Sequence, residues 1–545
     1  MVKYIKAFVL LCFLLNSSKF IYGESIQVKE KSKSLKPNIL FIWTDQQNFG
    51  LLSCEGNKYV KTPNLDRLAK EGALLSNAFT TYPSCSPSRA TVVSGAYAYN
   101  HRLYDNINYP RGLEGFKPID GYKITQQFLY ENGYKVAHRG KWHIGKKKDW
   151  GKCFTTEPDY SEAYSPLWNK RYKQKIEQAY PWDKNSKAGN GEYVKGKTPM
   201  PTLLTPTWQI AFDTGNLPDW AITGKMLVEP EATMEYSMVD DLIDFIKTNT
   251  EETWMATLSL SPPHDPWNVP EPYYSEIAVP LMEKMQIKGN GLDQKTSLSG
   301  RVGKMVGDQG VREYMAVYHA QVVMMDDFIG RVLDTLDQNG LTENTLVIFT
   351  SDHGDMLGAH SNVGKINNNL YNWLYHVPCI VRYPKKIKSG LKIDAPIMNI
   401  DYMPTILDFA GIEAPSNIDG QSFRPLLEGK AVDWRDYHIL EKTMEVERNS
   451  DHSLKNRDSF YFAMGIEDGR YKYIYTKQNG THRSKKYSGS RFIDLKRDPL
   501  EETNLFENSN YQSMILEYHM KLKKVLEESD FKFMDQYSDD PWSVR

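Results

Sequence analysis

The chain has 545 residues, 67 basic against 68 acidic, with 40% hydrophobic and 25% charged side chains. That length buries a sizeable core, as one large domain with a smaller one or as two of moderate size, and the proportions are those of a globular protein. The balanced charge gives nucleic-acid binding no compositional support, and no stretch is long and apolar enough to predict a membrane span.

Lys3 and Lys6, the apolar run Ala7 to Leu15 and the small Gly23 read as a secretory signal peptide over residues 1–23, which predicts an exported protein, periplasmic or secreted. With Cys12 inside that leader, Cys54, Cys85, Cys153 and Cys379 remain. They are too few for a disulfide framework, and no C-x-x-C pair suggests zinc.

Pro37 to Thr44 is a continuous apolar run, the mark of a strand buried on both faces of a parallel sheet, and it ends in Asp45-Gln46-Gln47. Thr62-Pro63 opens a helix expected to run through Leu75. In Cys85-Ser86-Pro87-Ser88-Arg89 a proline can start a helix, so thiol and guanidinium share its positive end. A helix from Ile124 to Glu131 precedes a strand at Lys135 to His138, which runs into Lys141-Trp142-His143. From Lys146 to Lys225 periodicity disappears among many aromatics and lysines, and this segment reads as an irregular insertion.

Order returns with a helix at Ala232 to Lys247 and a strand at Trp254 to Leu260, which leads to His264. A loop is expected at Gly289 to Gly310, then a long helix from Val311 to Asn339. The strand Thr345 to Thr350 ends in Ser351-Asp352-His353-Gly354-Asp355, and Pro378 to Tyr383 is another buried strand. Past Gly429, Ser459 to Met464 and Arg470 to Tyr475 alternate as antiparallel strands, and an amphipathic helix from Gln512 to Glu527 closes the chain. The pattern predicts an α/β fold, a large mixed, mostly parallel sheet sandwiched by helices over residues 24–430, with a smaller α+β domain carrying a short antiparallel sheet over residues 431–545.

Ligands of open α/β sheets bind beyond the carboxyl ends of the strands. Four predicted strands end in reactive residues: Asp45 with Gln46, Lys141 with His143, His264, and Asp352 with His353. Asp45, Gln46, Asp352 and His353 offer mainly oxygen ligands, a set that suits calcium, with magnesium or manganese also compatible. Arg89, Lys141, His143, His264 and Lys365 add cations and proton donors. A metal among so many cations needs an anionic ligand such as a tetrahedral oxyanion ester, with Cys85 as the candidate nucleophile.

Cys85-Ser86-Pro87-Ser88-Arg89 followed by Ser94-Gly95 closely resembles the signature of type I sulfatases, whose cysteine becomes formylglycine after synthesis. Gly140 to Gly145, Pro263 to Pro266, Thr350 to Asp355, Asp401 to Thr405 and Asp494 to Pro499 resemble further motifs of that family in the same order. The resemblance implies an alkaline-phosphatase-like fold and a formylglycine-generating maturation enzyme as partner. It also implies covalent catalysis at the residue derived from Cys85: a hydrated aldehyde attacks sulfur and the alcohol leaves. His143 then deprotonates the second hydroxyl, which expels sulfate. Arg89 would hold the diol, Lys141 and Lys365 the sulfate oxygens, and His264 would protonate the leaving oxygen. Asp45, Gln46, Asp352 and His353 would bind the metal together with the modified Cys85. Gln46 stands where many members carry Asp, His353 where many carry Asn, and the loop before Lys365 departs from the commoner version.

The insertion supports two readings: tryptophan and tyrosine faces that stack on a sulfated sugar beside Lys146, Lys147, Lys148, Lys170 and Arg171, or aromatics that pack on the domain. The first predicts a sulfatase of algal glycans or glycosaminoglycans. The alternatives are a phosphate or phosphonate ester hydrolase with the same kind of site, and a catalytically silent glycan-binding protein.

Overall fold

Pro37 to Thr44 is apolar without interruption because the strand it forms, β1 (Asn38–Asp45), is covered on both faces. Ile39, Phe41 and Trp43 point into one hydrophobic layer, and Leu40 and Ile42 into the other. The computed structural model describes residues 36–107, 121–145, 153–154, 169–179, 201–214, 217–218, 221–289, 298–365, 370–445, 460–479, 489–531 and 534–542. The signal-peptide segment, residues 1–23, lies outside them.

Helix α1 (Pro63–Glu71) leads into β2 (Ala73–Leu75), then α2 (Cys85–Ser94), α3 (Thr125–Glu131) and β3 (Lys135–Gly140). Next come α4 (Met234–Thr248), β4 (Trp254–Pro263), α5 (Leu298–Gln338), β5 (Thr345–Ser351), β6 (Cys379–Arg382) and β7 (Leu391–Ile393). The seven strands form one sheet in the order β7-β2-β6-β5-β1-β4-β3. β5, β1, β4 and β3 run parallel, and only β6 is antiparallel to its neighbours. Helices α1, α4 and α5 cover one face and α2 and α3 the other. The carboxyl ends of the four central parallel strands therefore open on one edge.

The C-terminal part is a second sheet of β8 (His438–Glu445), β9 (Phe460–Glu467), β10 (Tyr471–Asn479) and β11 (Arg491–Asp494), antiparallel throughout. One face packs on α6 (Gln512–Glu528) through Phe462, Met464, Ile515 and Leu522. The other carries Leu440, Tyr461 and Ala463 against Met356, Leu370, Tyr371 and Tyr375. Asp401 and Asp494 serve this architecture, since Asp401 takes both arms of Arg435 at 2.8 and 2.9 Å and Asp494 pairs with Arg470 at 2.8 Å. Among the described residues no helix is long and apolar enough to cross a membrane.

Several expectations need correction. The first helix stops at Glu71, because Ala73 and Leu74 are taken into the sheet opposite Val381 and Ile380. Of the expected loop at 289–310, residues 298–310 belong to α5, interrupted by a non-helical Gly307. Its glycines suggested a loop, yet at Gly303 the requirement is close packing: a Cβ there would stand 1.9 Å from Ser361 O. The insertion holds strands Thr202–Leu204 and Thr223–Met226 and a helix Pro206–Asp213, too short to show a period. Trp208 in it is fully buried, donating to Gly310 O at 2.8 Å, and Tyr172 packs on the same core, so both are packing aromatics. Trp150, Tyr160, Trp168, Trp182 and Trp220, with Lys146, Lys147 and Lys148, lie outside the described residues.

Gly140 ends β3 in the left-handed region (φ 94°), where a Cβ would stand 1.9 Å from Ser259 O. Gly140→Ala is expected to cost more than the roughly 1–2 kcal/mol of left-handed strain alone, because the β4 carbonyl must also move. A denaturant midpoint equal to that of the parent would show that the close approach is not needed.

Candidate active site

Four strand ends and one helix start meet at a point. Cys85 opens α2, and the turn before it is tied by Asn106, whose Oδ1 accepts from Ser84 Oγ and Ser86 N, both at 3.0 Å. One turn on, Arg89 is completely buried. Its Nε donates to Asp352 Oδ2 (2.8 Å), one terminal nitrogen to Asp45 Oδ2 (3.0 Å), and the other to Lys141 O and Ser259 Oγ (both 2.7 Å). The guanidinium also lies 4.6 Å over the Trp43 ring.

Lys141 Nζ binds Asp45 Oδ2 at 2.7 Å. Lys365 Nζ donates to Cys85 Sγ at 3.1 Å and stands 3.2 Å from His264 Nε2. His353 Nδ1 faces Gly354 O at 2.8 Å, which turns Nε2 toward Cys85 Sγ at 3.2 Å. His264 Nδ1 is held by Asp265 O at 2.9 Å. His143 has left-handed backbone (φ 61°), its Nε2 meets Ile107 O at 3.0 Å, and its side chain also acts on the Cys85 thiol. All the site residues expected from the sequence are thus gathered in one place.

They fall into two tiers. Asp45, Gln46, Cys85, Arg89, Asp352 and His353 are buried, while Lys141, His143, His264 and Lys365 are half-buried above them. The charges decide the protonation states. Burial would raise the Cys85 thiol, but Lys141 and Lys365, with His353 and His143, hold it well below the usual thiol range. Burial and the neighbouring thiol likewise push Asp45 up, yet Lys141, His264 and Arg89 keep its carboxyl well below the ordinary range. Burial lowers His264, and Asp265 and Asp45 outweigh it, so this imidazole is raised.

The buried tier fits a cation. Ligand atoms of Asp45, Cys85, Asp352 and His353 all lie within 4.8 Å of one another. Gln46 completes the set: its Nε2 is committed to Asp355 Oδ2 at 2.6 Å, and its Oε1 is buried and accepts no hydrogen bond among the described residues. An orphaned amide oxygen on the residue that follows Asp45, and whose N–H donates to Asp352 Oδ1 at 3.0 Å, adds to a donor set for a hard divalent ion.

Two contributors were not recognised in the sequence. Asp355 fixes the Gln46 amide and is itself held by Tyr314 OH and Leu357 N. Ser259 anchors Arg89. Asp355 stood inside a quoted motif, but its role is to orient another side chain, and no residue type announces that. Ser259 carries no signal in one sequence.

The sequence profile of the Sulfatase family matches residues 37–412, and that of the N-sulphoglucosamine sulphohydrolase C-terminal region matches residues 367–528. An N-acetylglucosamine-6-O-sulfatase of Bacteroides thetaiotaomicron is 28% identical, over 94% of this chain and 90% of its own. A protein solved with its substrate D-glucosamine-2-N,6-O-disulfate superposes with a TM-score of 0.62 at 23% identity, covering 92% of this chain and all of that one. The phosphonate monoester hydrolase of Agrobacterium radiobacter does so at 0.68 and 22% identity, covering 91% and 96%.

Calcium added to metal-stripped protein is expected to raise its melting temperature, by the equivalent of about 2.7 kcal/mol at a hundredfold excess over Kd. Gln46→Ala should shrink that shift and Asp352→Asn remove it. Full shifts in both variants, read by calorimetry, would exclude these side chains from the ligand set.

Proposed function

The chain belongs to the sulfatase family and is a sulfuric ester hydrolase, and from this we propose that it desulfates sulfated oligo- or polysaccharides after Cys85 has been converted to formylglycine. The observation that carries the reading is the placement of Cys85 at the buried end of a site whose rim is cationic. Lys365, Lys141, His264 and His143 surround Cys85, from which the formylglycine nucleophile would be made. A carbohydrate substrate is supported by the N-acetylglucosamine-6-O-sulfatase relative and by the glucosamine disulfate complex of the structural neighbour.

In this reading Asp45, Gln46, Asp352 and His353 hold a divalent metal, calcium by the hardness of the oxygen donors. When bound, it supplies positive charge to the sulfate oxygens and to the hydrated aldehyde. The chain's own residues do the rest. Arg89, locked between Asp45 and Asp352, keeps the modified residue from rotating. Lys141 and Lys365 bind the non-bridging sulfate oxygens, where charge grows as the ester bond breaks. His264, raised by Asp265 and Asp45, presents Nε2 as the proton donor to the departing sugar oxygen. His143 is the base that takes the proton of the second hydroxyl, so sulfate leaves and the aldehyde returns. Export belongs to the same proposal and rests on the reading of residues 1–23 as a signal peptide, and a maturation enzyme acting on Cys85 rests on the family signature.

A second reading has one observation in its favour, the high structural similarity to a phosphonate monoester hydrolase. Purified, matured protein is expected to turn over 4-nitrophenyl sulfate far faster than the phosphate or a phenylphosphonate ester, and the opposite order would favour the second reading. The tryptic peptide spanning Cys85 should be lighter than the thiol form, and Cys85→Ala should abolish turnover while keeping the parent melting temperature. An unmodified cysteine in fully active protein would sink the nucleophile assignment.

A further inference from the structure

The C-terminal sheet places Lys442 on the face that packs on the segment after β5. In β8, Leu440 pairs with Gly465, Lys442 with Ala463 and Thr443 with Phe462. Directly opposed residues of an antiparallel pair point to the same face. Ala463 belongs to the face packed on Met356, Leu370, Tyr371 and Tyr375, whereas Phe462 belongs to the face under α6. Lys442 therefore shares the Leu440 face, the one lying on the segment that follows β5 and carries Lys365.

Its surroundings are unusual for a lysine. Lys442 is only 5% exposed, and Nζ stands 4.6 Å over the ring of Tyr82, three residues before Cys85. The Tyr82 hydroxyl donates to Tyr104 O and Thr443 O, so that ring is fixed between β8 and the approach to α2. Among the described residues Nζ has no hydrogen-bond or ion-pair partner. Burial pushes the ammonium down to about 8; Asp105 attracts it, and Lys365 is near enough to repel it. A buried ammonium with no anion in contact is a costly arrangement unless something anionic arrives.

We propose that Lys442 binds a second anionic group of the substrate, a sulfate or carboxylate on or next to the sugar whose ester is cleaved. This deepens, and rests on, the sulfated-glycan reading. Lys365 and Lys442 then divide the work: the first meets the scissile sulfate beside Cys85, the second an anion displaced toward the Tyr82 side. The C-terminal sheet becomes a specificity element as well as a support for the loop that carries Lys365. The alternative for Lys442 is a purely structural cation stacked on Tyr82.

The test uses the full-length chain with Cys85→Ala, so that sugars bind without turnover, and isothermal titration with D-glucosamine-2-N,6-O-disulfate and D-glucosamine-6-O-sulfate. One charge-assisted contact predicts roughly tenfold tighter binding of the disulfate. Lys442→Met, which keeps the apolar stem over Tyr82, should bring the two affinities together, and Lys442→Arg should keep most of the preference. Lys442→Gln gives a second neutral side chain should the methionine variant fold poorly. Equal binding of both sugars by the parent, or a preference that survives in the neutral variants, would overturn the role of Lys442 alone. Binding of neither sugar would overturn a sulfated glucosamine as the substrate, and the role of Lys442 toward it.

Discussion

Two carboxylates, Asp45 and Asp352, are brought out of water at adjacent strand ends, and the structure depends on how that charge is met. Arg89 meets it, and in doing so bonds to residues in or just past all four central parallel strands: Asp45 of β1, Asp352 after β5, Lys141 after β3 and Ser259 of β4. A buried guanidinium is tolerated only when its donors are used and its charge is countered, and both conditions hold here. Because the bonds are directional, they fix where each strand stops relative to the others. They also fix α2, and with it Cys85.

That constraint explains why so much of the site was legible in the sequence. A run apolar on both faces ending in Asp45, and another ending in Asp352 and His353, are strands of a parallel sheet, and the carboxyl edge of such a sheet is where ligands gather. Residues that act directly announce themselves by type: a lysine, a histidine, an acid after a buried strand. Residues that act through others do not. Asp355 matters because it holds the Gln46 amide in one orientation, and Lys442 because cross-strand pairing turns it to the face that carries the Lys365 loop. Both facts are tertiary. The misread helix through Leu75 and loop at 298–310 failed for a related reason: short sheet contacts and close helix packing leave no periodic trace when the element is small or glycine-bearing.

The division into a buried tier and a half-buried rim separates two requirements that conflict. Holding a cation and a reactive residue in fixed geometry calls for full burial and complete hydrogen bonding, as for Arg89 and the Gln46 amide. Binding an incoming oxyanion calls for donors that can exchange water for substrate. Lys141 suits this because its ammonium carries three donors and spends only part of them on Asp45. The chain from Leu370 onward is steadied from outside the site. Lys472, buried and paired with Glu501 at 2.7 Å, donates to Leu370 O, and Glu501 accepts from Asn372 N. The C-terminal part thus anchors the chain at Leu370 and Asn372.

The thiol form of the site is satisfied by its own charges. Cys85, well below the usual thiol range, takes a hydrogen bond from Lys365 and faces His353 Nε2, so the cations that would bind substrate are engaged by sulfur. Conversion of that thiol to an aldehyde would remove the anion and leave the same cations, fixed by the surrounding fold, without it. The consequence is electrostatic before it is chemical. Modification would turn a self-neutralised cluster into one with a net positive rim, and an anionic ester would restore the balance that the thiolate provided. On this argument, the proposed maturation would supply the nucleophile and create the affinity for sulfate in the same step, and the unmodified protein would be a poor binder as well as a poor catalyst.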